Sequence, residues 1–465
     1  MKIKNHYLSN LLKLTSSSVM AQLILIVSSP ILTRLYTPED FGIFALFIAL
    51  VGILSTITNF RYEQAIIIPK SDNDSNQLIY LSLGINFLFS TFILIILFVC
   101  GENLFSIFNI QHLIKYYWLL PISIFFIGCF QVFNYWLIRN KKINKIAQIK
   151  VQQSILIVGI QFIFFKLGPI ALILGHALGQ LLGVLKNSLS FFSSTRINKN
   201  DMLKVAKEYK KFPLYSTWSA LLNSTGAQLP VLIFTAYYSP LIAGLYMLTQ
   251  RVIKTPLSIV GQAVTQLFIS NIRNEEEKLK KNIININNFL TTLSLIPFAI
   301  IMVSGDKLFY LVFGSQWAEA GVVAAILSPW MFLVFICSPV SSLIEYKGKQ
   351  KQFLIFQIIL FISRIFSIFI GYILFENYIY MLILFSAVST CIWLCFLSYI
   401  MHICNVRFME WFSKISKKIL IVFIGFFIFN FANIENNFLY WIFLSIISMV
   451  TLLLIFEKEV FINEN

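Results

Sequence analysis

Stretches of about twenty predominantly apolar residues recur along the chain, and this recurrence constrains the fold more than any other feature of the sequence. A hydrocarbon core about 30 Å thick is crossed by about 20 helical residues, because each residue advances a helix by about 1.5 Å. The 465-residue sequence is 58% hydrophobic and only 12% charged. A soluble protein of this size carries about twice that charged fraction. We therefore expect an all-α, polytopic membrane protein and exclude a soluble enzyme.

The apolar stretches predict about fourteen transmembrane helices, of which the thirteenth is the shortest. The segments that separate them are too short for a soluble catalytic domain. No glycine-rich phosphate loop of the Walker type is present, which argues against an ATP-driven transporter. The predicted spans are 14–33, 41–60, 78–100, 116–138, 149–167, 169–192, 214–237, 241–269, 289–312, 321–344, 353–375, 378–403, 419–433 and 438–456.

The basic residues alternate between the two ends of these spans. The chain has 36 Lys and Arg residues against 20 Asp and Glu, a formal net charge of +16. With the N-terminus inside, 28 of the cations lie on the cytoplasmic side, in the segments between spans or at span ends, whereas only Arg34, Lys115, Lys166 and Lys307 lie on the outside. Cytoplasmic loops of membrane proteins carry such an excess. The pattern predicts that both termini are cytoplasmic, and it makes nucleic-acid binding a poor explanation of the charge.

A short motif occurs twice, 202 residues apart. The pattern Tyr-[Ser/Thr]-Pro-x3-Gly begins at Tyr36 and again at Tyr238, each time at the outside turn between the first and second span of a six-span block. Leu120-Pro121 and Ser328-Pro329 match at an offset of 208. These matches favour an internal duplication over chance similarity. Two blocks of six spans have the same orientation, so a pseudo-twofold axis along the membrane normal would relate them, with substrate bound between them.

The duplication predicts four parts of the chain. They are an N-terminal six-helix lobe (1–195), a cytoplasmic linker (196–212), a C-terminal six-helix lobe (213–405), and two additional helices with a cytoplasmic tail (406–465). We expect the two pseudo-symmetric lobes to surround a central cavity.

Two cations lie near the middle of the eighth span. Arg251 and Lys254 are three residues apart and therefore share a helix face, which Ser258 continues. Charges at membrane depth usually face a protein interior or a wet cavity. We interpret the pair as a cationic lining that attracts an anionic substrate. The alternatives are neutralisation by a structural acid and a position closer to the cytoplasmic end of the helix.

Weaker sequence patterns indicate other polar residues as candidates for the cavity lining. Arg364, in the middle of the eleventh span, either lines the cavity or bonds carbonyl groups between helices. Arg61 and Glu63 follow the second span and are interpreted as an ion pair at the cytoplasmic rim. Polar stripes in the first and seventh spans are equally typical of hydrogen bonds between helices. The predicted cavity-lining polar residues are Gln22, Asn223, Gln250 and Ser258.

No arrangement of residues indicates catalysis. No Ser/His/Asp, paired-carboxylate or His-cluster set can be assembled on one side of the membrane, and His176 is isolated in the sixth span. The six cysteines lie in or beside apolar spans and read as small buried hydrophobic residues. We therefore predict no catalytic residue, no metal site and no cofactor.

Several segments resemble polysaccharide-biosynthesis flippases, the Wzx-type repeat-unit translocases of the multidrug/oligosaccharidyl-lipid/polysaccharide exporter superfamily. The resemblance runs over about residues 10–400. Its motifs are moderately specific and do not separate one glycan from another. The segments that carry it are Leu32–Gly42, Arg61–Lys70, Phe212–Ser216, Gly244–Val252 and Phe313–Gly321.

The resemblance implies a V-shaped bundle of two six-helix lobes with two extra helices, in the bacterial cytoplasmic (inner) membrane. It implies that alternating access moves an undecaprenyl-pyrophosphate-linked oligosaccharide to the outer leaflet, for O-antigen, capsule or exopolysaccharide assembly. Cations in the cavity of such proteins meet the pyrophosphate or acidic sugars. That role carries over to Arg251 by motif position, and more loosely to Arg61 and Lys254. The implied partners are membrane lipids, a polysaccharide polymerase and a chain-length regulator.

Two other functions stay open. An ion-coupled drug or cation antiporter of the same superfamily would require an acidic cavity, whereas the deep charges here are positive. A membrane polysaccharide polymerase or ligase would require a large outside loop. No embedded acid in the sequence indicates a site for ion coupling.

Overall fold

The computed structural model describes residues 2–418, apart from 193–196, 273–275, 347–348, 376, 410, 414 and 417. This part of the chain forms α-helices and contains no β-strand. The predicted spans at 419–433 and 438–456 lie outside the described residues. The helices are α1 (Lys2–Leu35), α2 (Pro38–Leu54), α3 (Tyr62–Ala65), α4 (Asp72–Ile107), α5 (Leu119–Arg139), α6 (Ile143–Ile163), α7 (Pro169–Phe192), α8 (Lys199–Glu208), α9 (Thr217–Tyr237), α10 (Pro240–Ile272), α11 (Glu276–Phe313), α12 (Ala318–Tyr346), α13 (Gln350–Leu374) and α14 (Tyr378–Ile403).

Each of the first twelve predicted spans overlaps one long helix, and the short helices α3 and α8 come from segments between spans. Among the described residues, nine helices are long and apolar enough to cross a membrane. These are α1, α4 to α7 and α11 to α14. The prediction of an all-α, multi-pass membrane protein is confirmed. The total of fourteen spans stays a prediction.

The chain divides into two compact units, Met1–Leu248 and Thr249–Asn465. In the first unit, α6 packs against α1 and α7, α5 packs against α4 and α7, and α2 packs along α9. In the second unit, α12 packs against α11 and α14, and α13 packs against α14. The lobe boundaries expected from the sequence around the linker 196–212 stay a prediction.

Both copies of the repeated motif start a helix in the same way. At the start of α2, the Thr37 hydroxyl accepts a hydrogen bond from the Asp40 amide (3.2 Å), and the Asp40 carboxylate accepts one from the Thr37 amide (2.9 Å). At the start of α10, the Ser239 hydroxyl accepts from the Ile242 amide (3.4 Å). A proline follows each hydroxyl residue and occupies the first helical position. The motif therefore encodes an N-cap followed by a proline that has no amide proton to leave unpaired.

The glycines of the two motifs bring α2 and α10 together within the first unit. A Cβ added to Gly42 would overlap the main-chain oxygen of Pro240, and a Cβ added to Gly244 would overlap the main-chain oxygen of Pro38. The contact is therefore reciprocal, with each motif's glycine against the other motif's proline. Small residues permit this close approach of helix backbones. The repeat that the sequence reveals is thus also a contact between its two copies.

Replacing either glycine by alanine is expected to lower stability. The added methyl group meets backbone, which cannot rotate away, and overpacking of this kind costs about 1–3 kcal/mol or more. Gly42→Ala and Gly244→Ala should each lower the melting temperature of the purified protein in detergent. Gly84→Ala on α4 is the matched control, because its added Cβ meets nothing within 4 Å. That variant should be neutral or slightly stabilised. Equal melting temperatures for Gly42→Ala and Gly84→Ala would contradict the proposed crossing.

Candidate functional site

The guanidinium group of Arg364 is held by aromatic rings inside the second unit. Its Cζ lies 4.6 Å from the ring centroid of Trp330 on α12 and 5.5 Å from that of Phe385 on α14. Its Nε donates a hydrogen bond to the Ser389 hydroxyl (3.2 Å). Aromatic faces attract a cation without neutralising it. The three helices therefore fix the position of a positive charge.

Lys254 lies close to this arginine. Lys254 on α10 lies within electrostatic range of Arg364 on α13. The Lys254 side chain is exposed, and no carboxylate forms an ion pair with it in the described part of the chain. The structure therefore brings together two of the cations predicted from the sequence.

Arg251 lies one helical turn before Lys254, as its spacing predicts, and its side chain is partly buried. Its carbonyl oxygen accepts a hydrogen bond from the Thr255 hydroxyl (2.7 Å). Beside it, the buried Nε2 atom of Gln250 has no hydrogen-bond partner among the described residues. The Ser258 side chain lies outside the described structure. Like charges gathered in this way attract an anion with several oxygen atoms, because each cation can donate a charge-assisted hydrogen bond.

The fourth predicted cation, Arg61, lies in the first unit on an irregular turn after α2. Phe60 and Arg61 have left-handed backbone conformations, with φ values of 47° and 59°. Such conformations are rare for residues with a side chain and are often found at functional sites. The Arg61 Nη1 atom lies 3.8 Å from the Glu63 Oε1 atom, so the ion pair expected from the sequence is present but long.

Buried amides hold this turn in place. The Thr58 hydroxyl donates to Asn86 Oδ1 on α4 (2.6 Å). Asn59 Nδ2 donates to the carbonyl oxygen of Gly128 (3.1 Å) and to Gln131 Oε1 (3.3 Å), both on α5. Because three of these side chains are also buried from solvent, the bonds are costly to break. The turn that carries Arg61 is therefore anchored to two neighbouring helices.

The carboxyl group of Glu63 is an unusual feature of this turn. Its side chain is only 3% exposed, against 24% for Arg61. Its Oε2 atom and the Arg61 Nε atom are buried without a hydrogen-bond partner among the described residues. Burial raises the pKa of Glu63 to about 7, and the nearby Arg61 charge opposes this shift only in part. Glu63 can therefore gain or lose a proton near neutral pH.

The remaining predicted polar residues are spread over two helices. Gln22 is partly buried on α1, and Asn223 is exposed on α9. Their role in a cavity stays a prediction.

Sequence reasoning did not find the residues that surround Arg364. Trp330, Phe385 and Ser389 are 34 residues before, 21 after and 25 after it in the chain, and no spacing pattern links them. The sequence also gave no sign of an apolar cavity of about 280 Å³ in the second unit. Its lining includes Leu295, Phe298, Phe332, Leu394, Trp411 and Phe412.

Comparison with known proteins identifies the family of this chain. Residues 31–322, more than half of the chain, match the family model for polysaccharide biosynthesis proteins. The chain belongs to this family. The resemblance found in the sequence is thereby confirmed.

One relative is the teichuronic acid biosynthesis protein TuaB of Bacillus subtilis, which is 22% identical over 294 residues. That match covers 61% of this chain and 60% of the relative, so the chain spans less than two thirds of TuaB.

Solved structures agree on the fold of this family member. A lipid II flippase, MurJ, in an inward closed conformation, has a TM-score of 0.77 at 15% identity, covering 96% of this chain and 99% of that one. An inward-facing multidrug resistance MATE family transporter of the MOP superfamily has a TM-score of 0.60 at 16% identity, covering 87% and 95%. At these identities the likeness shows a shared transporter fold.

The buried carboxyl group makes stability depend on pH. A pKa raised in the folded state favours folding at low pH, and that contribution is lost as pH rises through about 7. We expect the melting temperature of the wild-type protein to fall by several degrees between pH 5.5 and pH 8.5. Glu63→Gln, which cannot ionise, should show a smaller fall. Asp306→Asn at an exposed position is the control and should follow the wild type. A Glu63→Gln profile parallel to that of the wild type would contradict the assignment.

Proposed function

We propose that this protein is a flippase that moves an undecaprenyl-pyrophosphate-linked oligosaccharide from the cytoplasmic to the outer leaflet by alternating access. The transported unit would serve O-antigen, capsule or exopolysaccharide assembly. The observation that carries the proposal is the Arg364 guanidinium held against Trp330 and Phe385 in the second unit, with Lys254 within electrostatic range of it. A pyrophosphate head group cannot cross hydrocarbon unaided and needs such charges along its path.

The geometry around Arg364 suits this task. Its guanidinium lies over the Trp330 ring, and an aromatic face holds a cation in position without removing its charge. Binding that is moderate rather than tight also suits transport, because the substrate has to leave. Arg251, one turn before Lys254, would extend the cationic surface. Arg61 would add a cation in the first unit, balanced by Glu63 according to its protonation state.

The lipid tail calls for different chemistry. A polyprenyl chain is apolar and remains in hydrocarbon, entering the protein only through apolar openings. The cavity lined by α11, α12, α14, Trp411, Phe412 and Ile415 is almost entirely apolar and could accept several isoprene units. Membrane lipids are therefore expected partners. The family resemblance adds a polysaccharide polymerase and a chain-length regulator to the proposed partners. The proposed location is the bacterial inner membrane with both termini in the cytoplasm.

The relatives support this proposal by their names. One is a teichuronic acid biosynthesis protein and one a lipid II flippase. The MATE neighbour favours a second candidate, an ion-coupled drug or cation antiporter. Two cations near each other repel a cationic drug, so this alternative is the weaker one. A polymerase or ligase has no support among these relatives.

Removing the paired cations is expected to reduce export of the surface glycan. Lys254→Ala and Arg364→Ala should each lower the rate about tenfold or more, because a charge-assisted hydrogen bond contributes about 1.5–3 kcal/mol. Arg251→Ala should lower it in the same direction. Surface polysaccharide is measured in the producing bacterium, with the amount of protein in the membrane followed in parallel.

Lys307→Ala is the matched control, since Lys307 is an exposed lysine on α11 in the same unit. It should leave export unchanged. Normal surface polysaccharide in both Lys254→Ala and Arg364→Ala at normal protein levels would overturn the proposal. Resistance to cationic drugs conferred by the wild-type protein would instead establish the antiporter.

A further inference from the structure

The exposed side chains on one face of α6, in the first unit, change from polar to apolar along the helix. Gln148, Gln152 and Ile155 are exposed and follow one another at intervals of three or four residues, so they form a single stripe. Phe162 and Ile163 continue the exposed surface toward the end of the helix. The stripe is polar over the first turns and apolar beyond them.

The neighbouring helix α7 shows the same division in the opposite chain direction. Leu178 and Leu185 are exposed, at 37% and 59%, and Lys186 follows them toward the end of the helix. Because α6 and α7 are antiparallel neighbours joined by a short turn, the polar end of α7 lies beside the polar end of α6. The two helices together present polar groups at one end and apolar side chains beyond.

Hydrogen bonds join the polar ends. The Lys186 Nζ atom donates to Gln152 Oε1. The Lys145 Nζ atom donates to the main-chain oxygen of Lys186 (3.1 Å). Both lysines therefore donate to neutral oxygen atoms across the line along which α6 and α7 meet, here called the α6–α7 seam. This arrangement fixes two ammonium groups close to each other.

The positive charge of this cluster is not balanced within the described structure. Lys145 lies within electrostatic range of both Lys142 and Lys186. No carboxylate forms an ion pair with any of the three in the described residues. Lys142 instead lies 5.1 Å from the ring centroid of Trp136. Three neighbouring cations with only neutral partners attract an anion.

We propose that the α6–α7 seam binds an anionic glycerophospholipid, with its phosphate at Lys145, Lys186 and Gln152 and its acyl chain along the exposed apolar stripe. The polar groups match a phosphate head group, and the apolar side chains that follow match a hydrocarbon chain. Basic pockets between membrane helices on the cytoplasmic side bind anionic lipids in this way. The positive-inside pattern of the sequence puts this end of α6 and α7 at that leaflet.

The occupant is a resident membrane lipid and not the transported substrate. The seam is an exposed surface of the first unit, formed by side chains that differ from those assigned to the substrate. A resident lipid at this position would stabilise the pairing of α6 with α7. The inference does not depend on the proposed transport function.

Native mass spectrometry of the full chain in detergent tests this site. The probes are palmitoyl-oleoyl phosphatidylglycerol and phosphatidylcholine, which have the same acyl chains and differ in net charge. We expect the wild-type protein to bind phosphatidylglycerol about tenfold more tightly. The double variant Lys145→Gln/Lys186→Gln should lose this preference. The control Lys204→Gln/Lys207→Gln removes the same charge from exposed positions on α8 and should keep most of it.

Three results would overturn the site. One is equal binding of the two lipids by the wild-type protein. The second is an unchanged preference in Lys145→Gln/Lys186→Gln. The third is displacement of bound phosphatidylglycerol by undecaprenyl pyrophosphate at a lower concentration than by phosphatidylglycerol itself, which would assign the seam to the carrier lipid. None of these measurements requires transport activity, so a failed flippase assay leaves the site in place.

Discussion

Hydrocarbon offers no water to a charged or hydrogen-bonding group, and every polar atom of this protein at membrane depth has to be accommodated within the chain or by lipid. Helices satisfy the peptide groups. The charged side chains are accommodated in other ways. Arg364 lies against aromatic faces, which hold its charge in place. Arg61 is paired with a carboxyl group whose own charge is penalised by burial. In both arrangements the surrounding side chains fix the position of a cation.

Much of the architecture could be predicted because the local amino-acid composition is enough to locate membrane helices. The apolar runs gave the positions of twelve helices, and the three-residue spacing of Arg251 and Lys254 placed both on one face. The proximity of Lys254 and Arg364 could not be predicted, because it depends on how α10 and α13 are arranged in space and the two residues are 110 positions apart. Nor could Trp330 be singled out in a chain that is 16% aromatic. Periodicity identifies the face of a helix but not the neighbour it meets.

The Arg61–Glu63 turn illustrates a second limit. From the sequence, two opposite charges after a span indicate an ion pair at the cytoplasmic rim. The structure contains this pair, but its arginine has a left-handed conformation and its acid is almost fully buried. The cause is distant in sequence, since Asn86 on α4 and Gly128 on α5 anchor the turn.

The reciprocal contact of Gly42 and Gly244 has a consequence for how the chain can be divided. Each copy of the motif supplies the surface that the other copy needs, so neither half of the duplication is complete by itself. The first compact unit accordingly extends to Leu248 and includes α9 and the start of α10. A fragment that stopped at the linker after α7 would expose a glycine-lined stretch of helix with nothing to fill it.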